Sequence, residues 1–184
     1  MLEVRLHGRG GQGTVTASRI IANAFVREGK YSSSFPMFGF ERRGAPVTAF
    51  LRFDKHPIKL KTQIYNPDCV IVLDASLRDS GFIYEGLKSN CALILNGIKA
   101  FMDKPHENIS LLGMVNAEVI AREEIGVAAP NTCMVGAFAA ATGWISLESV
   151  VISLEDYFNG DLLKQNVRSA ERGFDEVKVI QWPK

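Results

Sequence analysis

The sequence has few cysteines and none in a metal-binding pattern. Its 184 residues hold three, at 69, 91 and 133, with no Cys-x-x-Cys pair. A zinc ribbon or a ferredoxin-type cluster built by this chain alone is therefore excluded. Each cysteine lies in an apolar run, such as Cys69-Val-Ile-Val-Leu73, the setting of a buried, reduced thiol in a cytoplasmic protein. No apolar run approaches the roughly 20 residues of a membrane helix. Glu3 and Arg5 stand where a secretory leader would be apolar, so neither an anchor nor a leader is expected. An excess of one charge is missing too. Lys+Arg number 21 and Asp+Glu 20, which argues against a nucleic-acid partner. His7, His56 and His106 show no metal-ligand spacing. No Ser/His/Asp set, Cys/His set or apolar carboxylate pair can be read, so no catalytic residue and no metal ligand is assigned and the chain does not look like a complete enzyme.

What is present reads as one domain over residues 1–184, since the chain is 47% hydrophobic and 22% charged and is long enough to bury a full core. Leu2 to His7 alternates as a strand. A glycine cluster follows, Gly8-Arg9-Gly10-Gly11-Gln12-Gly13, and then Ala17, Ile20, Ile21, Ala24 and Phe25 mark one face of a helix over 14–28. Residues 30–46 show neither period and read as a long aromatic loop, a length that is usually functional. Val47 to Asp54 reads as a strand with Ile58 to Lys61 as a short partner. Cys69 to Leu73, Cys91 to Leu95 and Ile109 to Met114 read as buried strands. Ser76-Leu-Arg-Asp79 fits a capping box opening a helix to about Lys88. Helices are expected over 116–124, over Cys133 to Thr142 (apolar nearly all round), from Ser146 to about Asp156, and along the stripe Leu163, Val167, Ala170, Phe174 and Val177. Buried strands alternating with helices predict an α/β fold, a Rossmann-like three-layer domain with a mostly parallel sheet.

Gly8-x-Gly10-x-x-Gly13 lies between the first strand and the first helix. In that context the glycines permit a tight turn, and the helix N-terminus favours a phosphate; a turn needed only for packing is the alternative. The acidic residue that would hold the ribose of NAD, ending a second strand about 20 residues on, is missing, and so is the Gly-Lys-Ser/Thr of a Walker loop. Glu41-Arg42-Arg43-Gly44, with Phe38 just before it, suits an anionic ligand or a partner's carboxylates. Asp74 ends a strand at the edge where such sheets bind ligands, although a cap on the next turn is the favoured role. His7 is expected to brace the glycine turn.

Three segments in order carry a family resemblance that spans essentially the whole chain. They are His7-Gly-Arg-Gly-Gly-Gln-Gly-Thr-Val-Thr-Ala-Ser18, Phe35-Pro-Met-Phe-Gly-Phe-Glu-Arg-Arg-Gly-Ala-Pro-Val47 and Pro130-Asn-Thr132. The chain resembles the gamma subunit of 2-oxoacid:ferredoxin oxidoreductases, and its second segment is similar to the pyruvate and ketoisovalerate types rather than the 2-oxoglutarate type. The resemblance implies a complex that decarboxylates a 2-oxoacid on thiamine diphosphate, passes electrons through iron–sulfur clusters to ferredoxin, and gives the acyl group to coenzyme A. It implies that thiamine diphosphate, magnesium and the clusters belong to alpha-, beta- and delta-type partner subunits, with no cofactor bound tightly by this chain. Coenzyme A contact is then expected at Gly8, Gly10, Gly11, Gln12 and Gly13, with Asn131 and Thr132 on the same edge, and partner or anion contact at Phe38, Glu41, Arg42 and Arg43. A free-standing nucleotide-binding module and a purely structural interface subunit are the competing readings.

Overall fold

A computed structural model describes residues 1–37, 44–99 and 101–183. The sheet is built on β1 (Leu2–Arg9), β4 (Cys69–Val72), β5 (Cys91–Asn96) and β6 (Ile109–Val115), which run parallel in that spatial order. The flanks are antiparallel. β3 (Pro46–Asp54) pairs with β1, β2 (Tyr31–Pro36) pairs with β3, and β7 (Lys178–Gln181) pairs with β6. The seven-stranded order is β2-β3-β1-β4-β5-β6-β7. The parallel centre reads as continuous apolar runs because both of its faces are covered.

The α-helices of the described residues all contribute to a core on one face: α1 (Thr14–Arg27), α2 (Ala117–Glu124), α3 (Asn131–Thr142), α4 (Leu147–Leu154) and α5 (Gly160–Glu176). Val4, Leu6, Ile71, Leu73 and Ile94 of the sheet meet Ile20, Phe25, Met134 and Phe138 there. α3 is buried on nearly every side, as its composition suggested. Gly136 lies against the Ala170 carbonyl and Gly173 against the Cys133 carbonyl, so α3 and α5 touch backbone to backbone. Among the described residues the other face carries no α-helix. Short 3-10 turns at Ala75–Leu77 and Gly81–Tyr84 and the loops around them cover Val70, Val72, Leu93 and Met114. Among the described residues no helix is long and apolar enough to cross a membrane.

Several expectations need correction. The helix from Ser76 to Lys88 is absent. Gly81 and Gly86 (φ +68°) interrupt the segment, and the buried Arg5 guanidinium donates to the carbonyls of Ile83 (3.1 Å) and Glu85 (2.9 Å), oxygens that a helix would need for itself. Tyr31 to Pro36 is a strand rather than loop. Its period is hidden because β2 packs on α1 through hydroxyls. Ser32 donates to the Ala22 carbonyl and Ser34 pairs with Ser18, both at 2.8 Å. Ile58 to Lys61 forms no strand; the chain just beyond it is held by Arg52, which donates to the carbonyls of Thr62 (2.6 Å) and Gln63 (3.2 Å). α5 stops at Glu176, and Val177 leaves the helix while still packing on the core. β7 follows with exposed side chains and so carries no alternation signal.

Candidate anion site at the glycine turn

The sheet order changes direction at β1. From β1 the chain crosses through α1 to β2 and β3 on one side, and later enters β4 on the other. The carboxyl ends of β1 and β4 therefore flank a topological switch point, the place where open α/β sheets take their ligands. The glycine turn stands on one side of this crevice and Asp74 on the other.

The turn is closed from within. Gln12 N–H donates to the Arg9 carbonyl (3.1 Å) and the Gln12 side-chain oxygen accepts from Arg9 N–H (2.8 Å). Gly11, at φ +99°, occupies the third position of this four-residue turn, where a positive φ favours glycine. Gly10 exchanges bonds with the chain leading into β3, donating to the Ala45 carbonyl (2.9 Å) and accepting from Gly44 N–H (3.1 Å). Gly13 (φ +77°) starts α1 with no side-chain cap. A side chain on Gly13 would meet the Asn131 amide nitrogen at 2.6 Å, and one on Gly8 would collide with the Thr14 hydroxyl. Gly8, Gly10, Gly11, Gln12, Gly13 and Asn131 thus form one cluster. Thr132 is placed differently, since its buried hydroxyl donates to Asn166 (3.1 Å) on α5.

The donors at this cluster are left open. Gly11 N–H and Gly13 N–H meet no acceptor among the described residues, and the first N–H groups of a helix have no acceptor within it. Thr14 is 3% exposed, yet its hydroxyl has no partner among the described residues. Uncapped N–H groups, the positive end of a helix dipole and an orphan hydroxyl together suit a phosphate or another small anion. Thr14 escaped notice in the sequence because it reads only as the first residue of a helix.

Asp74 caps the following turn as expected, accepting from Ser76 N–H (2.9 Å) and the Ser76 hydroxyl. It also does what the sequence did not disclose. Its other oxygen accepts from the Gln12 side-chain amide (2.7 Å) and faces the Arg9 guanidinium (3.4 Å). Burial opposes its charge, but the bonds from Ser76 and Gln12 and the charge of Arg9 hold the carboxyl below its usual range. Arg9 also donates to the Gly44 carbonyl (3.2 Å) and the Ser76 hydroxyl (3.3 Å). His7 sits behind the turn. Arg5 Nε donates to its Nε2 (2.9 Å), so the neutral ring carries its proton on Nδ1, beside the Thr48 hydroxyl at 3.3 Å. Burial first, and the nearby Arg5 charge second, push the His7 pKa down to about 3.

Phe38, Glu41, Arg42 and Arg43 lie outside the described residues. The three thiols are free and buried. Cys69 faces the helical core and Cys91 the opposite one, and burial raises the pKa of Cys91 and of Cys133 to about 12. Among the described residues, a cavity of about 300 Å³ opens beside Ala75, Asn96 and Gly97, on the same edge as the glycine turn. A cavity of about 480 Å³ lies at the opposite edge between Leu2, Phe53 and Trp144.

The family described as pyruvate ferredoxin/flavodoxin oxidoreductase matches residues 3–176. The common gamma subunit of the pyruvate/ketoisovalerate oxidoreductases of Pyrococcus furiosus is 46% identical over 184 residues, covering 98% of this chain and 100% of the relative. The pyruvate synthase subunit PorC of Methanocaldococcus jannaschii is 46% identical over 177 residues, covering 96% and 97%. The crystal structure of pyruvate oxidoreductase subunit PORC from Thermotoga maritima superposes with a TM-score of 0.84 at 36% identity, covering 97% of each chain.

Proposed function

Because the chain belongs to the pyruvate ferredoxin/flavodoxin oxidoreductase family, we propose that it works, as one domain, as the gamma subunit of a multi-subunit enzyme. That enzyme oxidatively decarboxylates pyruvate or a branched-chain 2-oxoacid to the acyl-coenzyme A and delivers the electrons to ferredoxin. Thiamine diphosphate, magnesium and the iron–sulfur clusters sit in alpha-, beta- and delta-type partners in the cytoplasm. This chain brings coenzyme A to their reaction centre.

The observation that carries the coenzyme A assignment is the set of unused donors at the start of α1. The residues present fit a phosphate group of that cofactor. Gly11 and Gly13 N–H groups and the first amides of α1 would donate to it, and the orphan Thr14 hydroxyl would gain its missing partner. The glycines leave the backbone bare, so a phosphate can approach it closely. Asn131, beside Gly13, would border the same group. Bound coenzyme A supplies the thiol that accepts the acyl group. The task of this chain is to fix the cofactor's charged end so that the thiol reaches the partner site, a positioning role. Phe38, Glu41, Arg42 and Arg43, which lie outside the described residues, are assigned the anion or partner contacts.

The test is the complex purified anaerobically from its native host through a tag on this chain. It is assayed for coenzyme A-dependent viologen reduction with pyruvate, 2-oxoisovalerate and 2-oxoglutarate. Activity with pyruvate or 2-oxoisovalerate is expected. An intact preparation with no partners and no activity would favour a free-standing nucleotide-binding module.

A further inference from the structure

We infer that Asp74 is the positioning residue of this anion site, acting through Gln12 and holding the glycine turn open across the switch crevice. The inference rests on the reading of that turn as the coenzyme A site. Three observations converge on it. First, Asp74 stands on the opposite strand end from the turn, so its grip on Gln12 (2.7 Å) ties β4 to the β1–α1 connection. Second, both of its oxygens are occupied. One takes Ser76 N–H and the Ser76 hydroxyl, and the other takes Gln12 and faces Arg9. A carboxylate saturated in this way, with its side chain 13% exposed, is not itself a ligand for an anion; its work is to orient other groups. Third, the Gln12 carboxamide has a unique polarity. Its NH2 faces an acceptor in Asp74 and its oxygen faces a donor in Arg9 N–H (2.8 Å). Reversing the amide would set donor against donor at one end and acceptor against acceptor at the other. Asp74 thereby fixes which way Gln12 points. Gln12 in turn closes the Arg9–Gln12 turn on its own side chain, and Gly11 N–H and Gly13 N–H are left without an acceptor among the described residues.

The polarity gives a sharp test by exchange. Asp74→Asn keeps an oxygen for Ser76 but turns an NH2 toward the Gln12 NH2. Gln12→Glu sets carboxylate against carboxylate. When Asp74→Asn and Gln12→Glu are combined, the new amide donates to the new carboxylate across the crevice. That carboxylate still accepts from Arg9 N–H, and the net charge is that of the parent. The complete complex is assayed for viologen reduction against coenzyme A and against 2-oxoacid. Each single variant is expected to raise KM for coenzyme A about tenfold, the equivalent of one hydrogen bond, with kcat and KM for the 2-oxoacid unchanged. The double variant is expected to recover most of that loss. An unchanged KM in Asp74→Asn, no recovery in the double variant, or an Asp74→Asn complex that fails to assemble would overturn the inference, the last by making Asp74 a folding residue. Thr14→Val, assayed alongside, separates the two readings. If it raises KM while Asp74→Asn is silent, only the Asp74 role falls. If neither variant moves KM, the glycine turn is not the coenzyme A site.

Discussion

Replacing Thr14 by valine isolates one atom. The Thr14 hydroxyl, at the first residue of α1, is buried against Gly8 with no partner among the described residues. A buried polar group in that condition costs about 1–3 kcal/mol, whereas a hydrogen bond to a charged group contributes about 1.5–3 kcal/mol. Valine has the same shape and lacks the hydroxyl, so the two states of the protein respond in opposite senses. Without ligand, α1 should lose the orphan penalty, less whatever the larger methyl costs against Gly8. Its amides should then exchange no faster than in the parent, and slower by about fivefold for each kcal/mol gained. With ligand, the bond to phosphate is gone. At about 1.4 kcal/mol per tenfold, KM for coenzyme A should rise roughly 10- to 100-fold while kcat holds. Steady-state viologen reduction and hydrogen–deuterium exchange on the same complex give both numbers, and Thr14→Ser, which keeps the hydroxyl, should behave as the parent. Slower exchange in α1 with an unchanged KM would refute the reasoning, because Thr14 would then be a packing defect with no ligand above it.

Other outcomes follow from the same geometry. His7 is neutral in the fold with a pKa near 3, while an unfolded histidine titrates near 6.5. Its contribution is whole above about pH 6.5 and is lost by about 1.4 kcal/mol per pH unit as pH falls toward 3. His7→Gln should flatten that part of the acid-denaturation curve, and an unaltered slope would show that another group sets it. Gly136→Ala drives a methyl into the Ala170 carbonyl, so α5 must move away from α3. A cost of about 1–3 kcal/mol is expected in denaturant melts, and parent-like stability would mean the helices can slide apart freely. Charge reversal at Arg42 and Arg43 should loosen subunit assembly, and a complex that survives ordinary salt intact would count against an interface role for these residues.

The strand–turn–helix opening was legible because its signals are local: an alternating strand, glycines, then the face from Ala17 to Phe25. The parallel centre was legible for the same reason, as Cys69 to Leu73 and Cys91 to Leu95 are apolar on both faces. What escaped depends on contacts distant in sequence. Nothing in Tyr31-Ser-Ser-Ser-Phe35 announces a strand, because its partners are the hydroxyl of Ser18 and the carbonyl of Ala22. Nothing in Ser76 to Lys88 shows that Arg5, 78 positions before Ile83, will claim its carbonyls. The glycine motif marked where an anion could sit, but the hold of Asp74 on Gln12 spans 62 positions and appears only once β1 and β4 lie side by side.

Arg5 and Arg52 act as a pair. Both are buried, and each spends its guanidinium on carbonyls of a loop: Ile83 and Glu85 for one, Thr62 and Gln63 for the other. A lysine at either position carries the same charge but lacks the fork of donors. Each guanidinium thus fastens one loop of the non-helical wall to the sheet, alongside the buried packing of Ile83 and Leu87 and the pairing of Lys88 with Glu3. Losing either fork should therefore loosen its loop before any strand leaves register, and raise that loop's sensitivity to proteolysis.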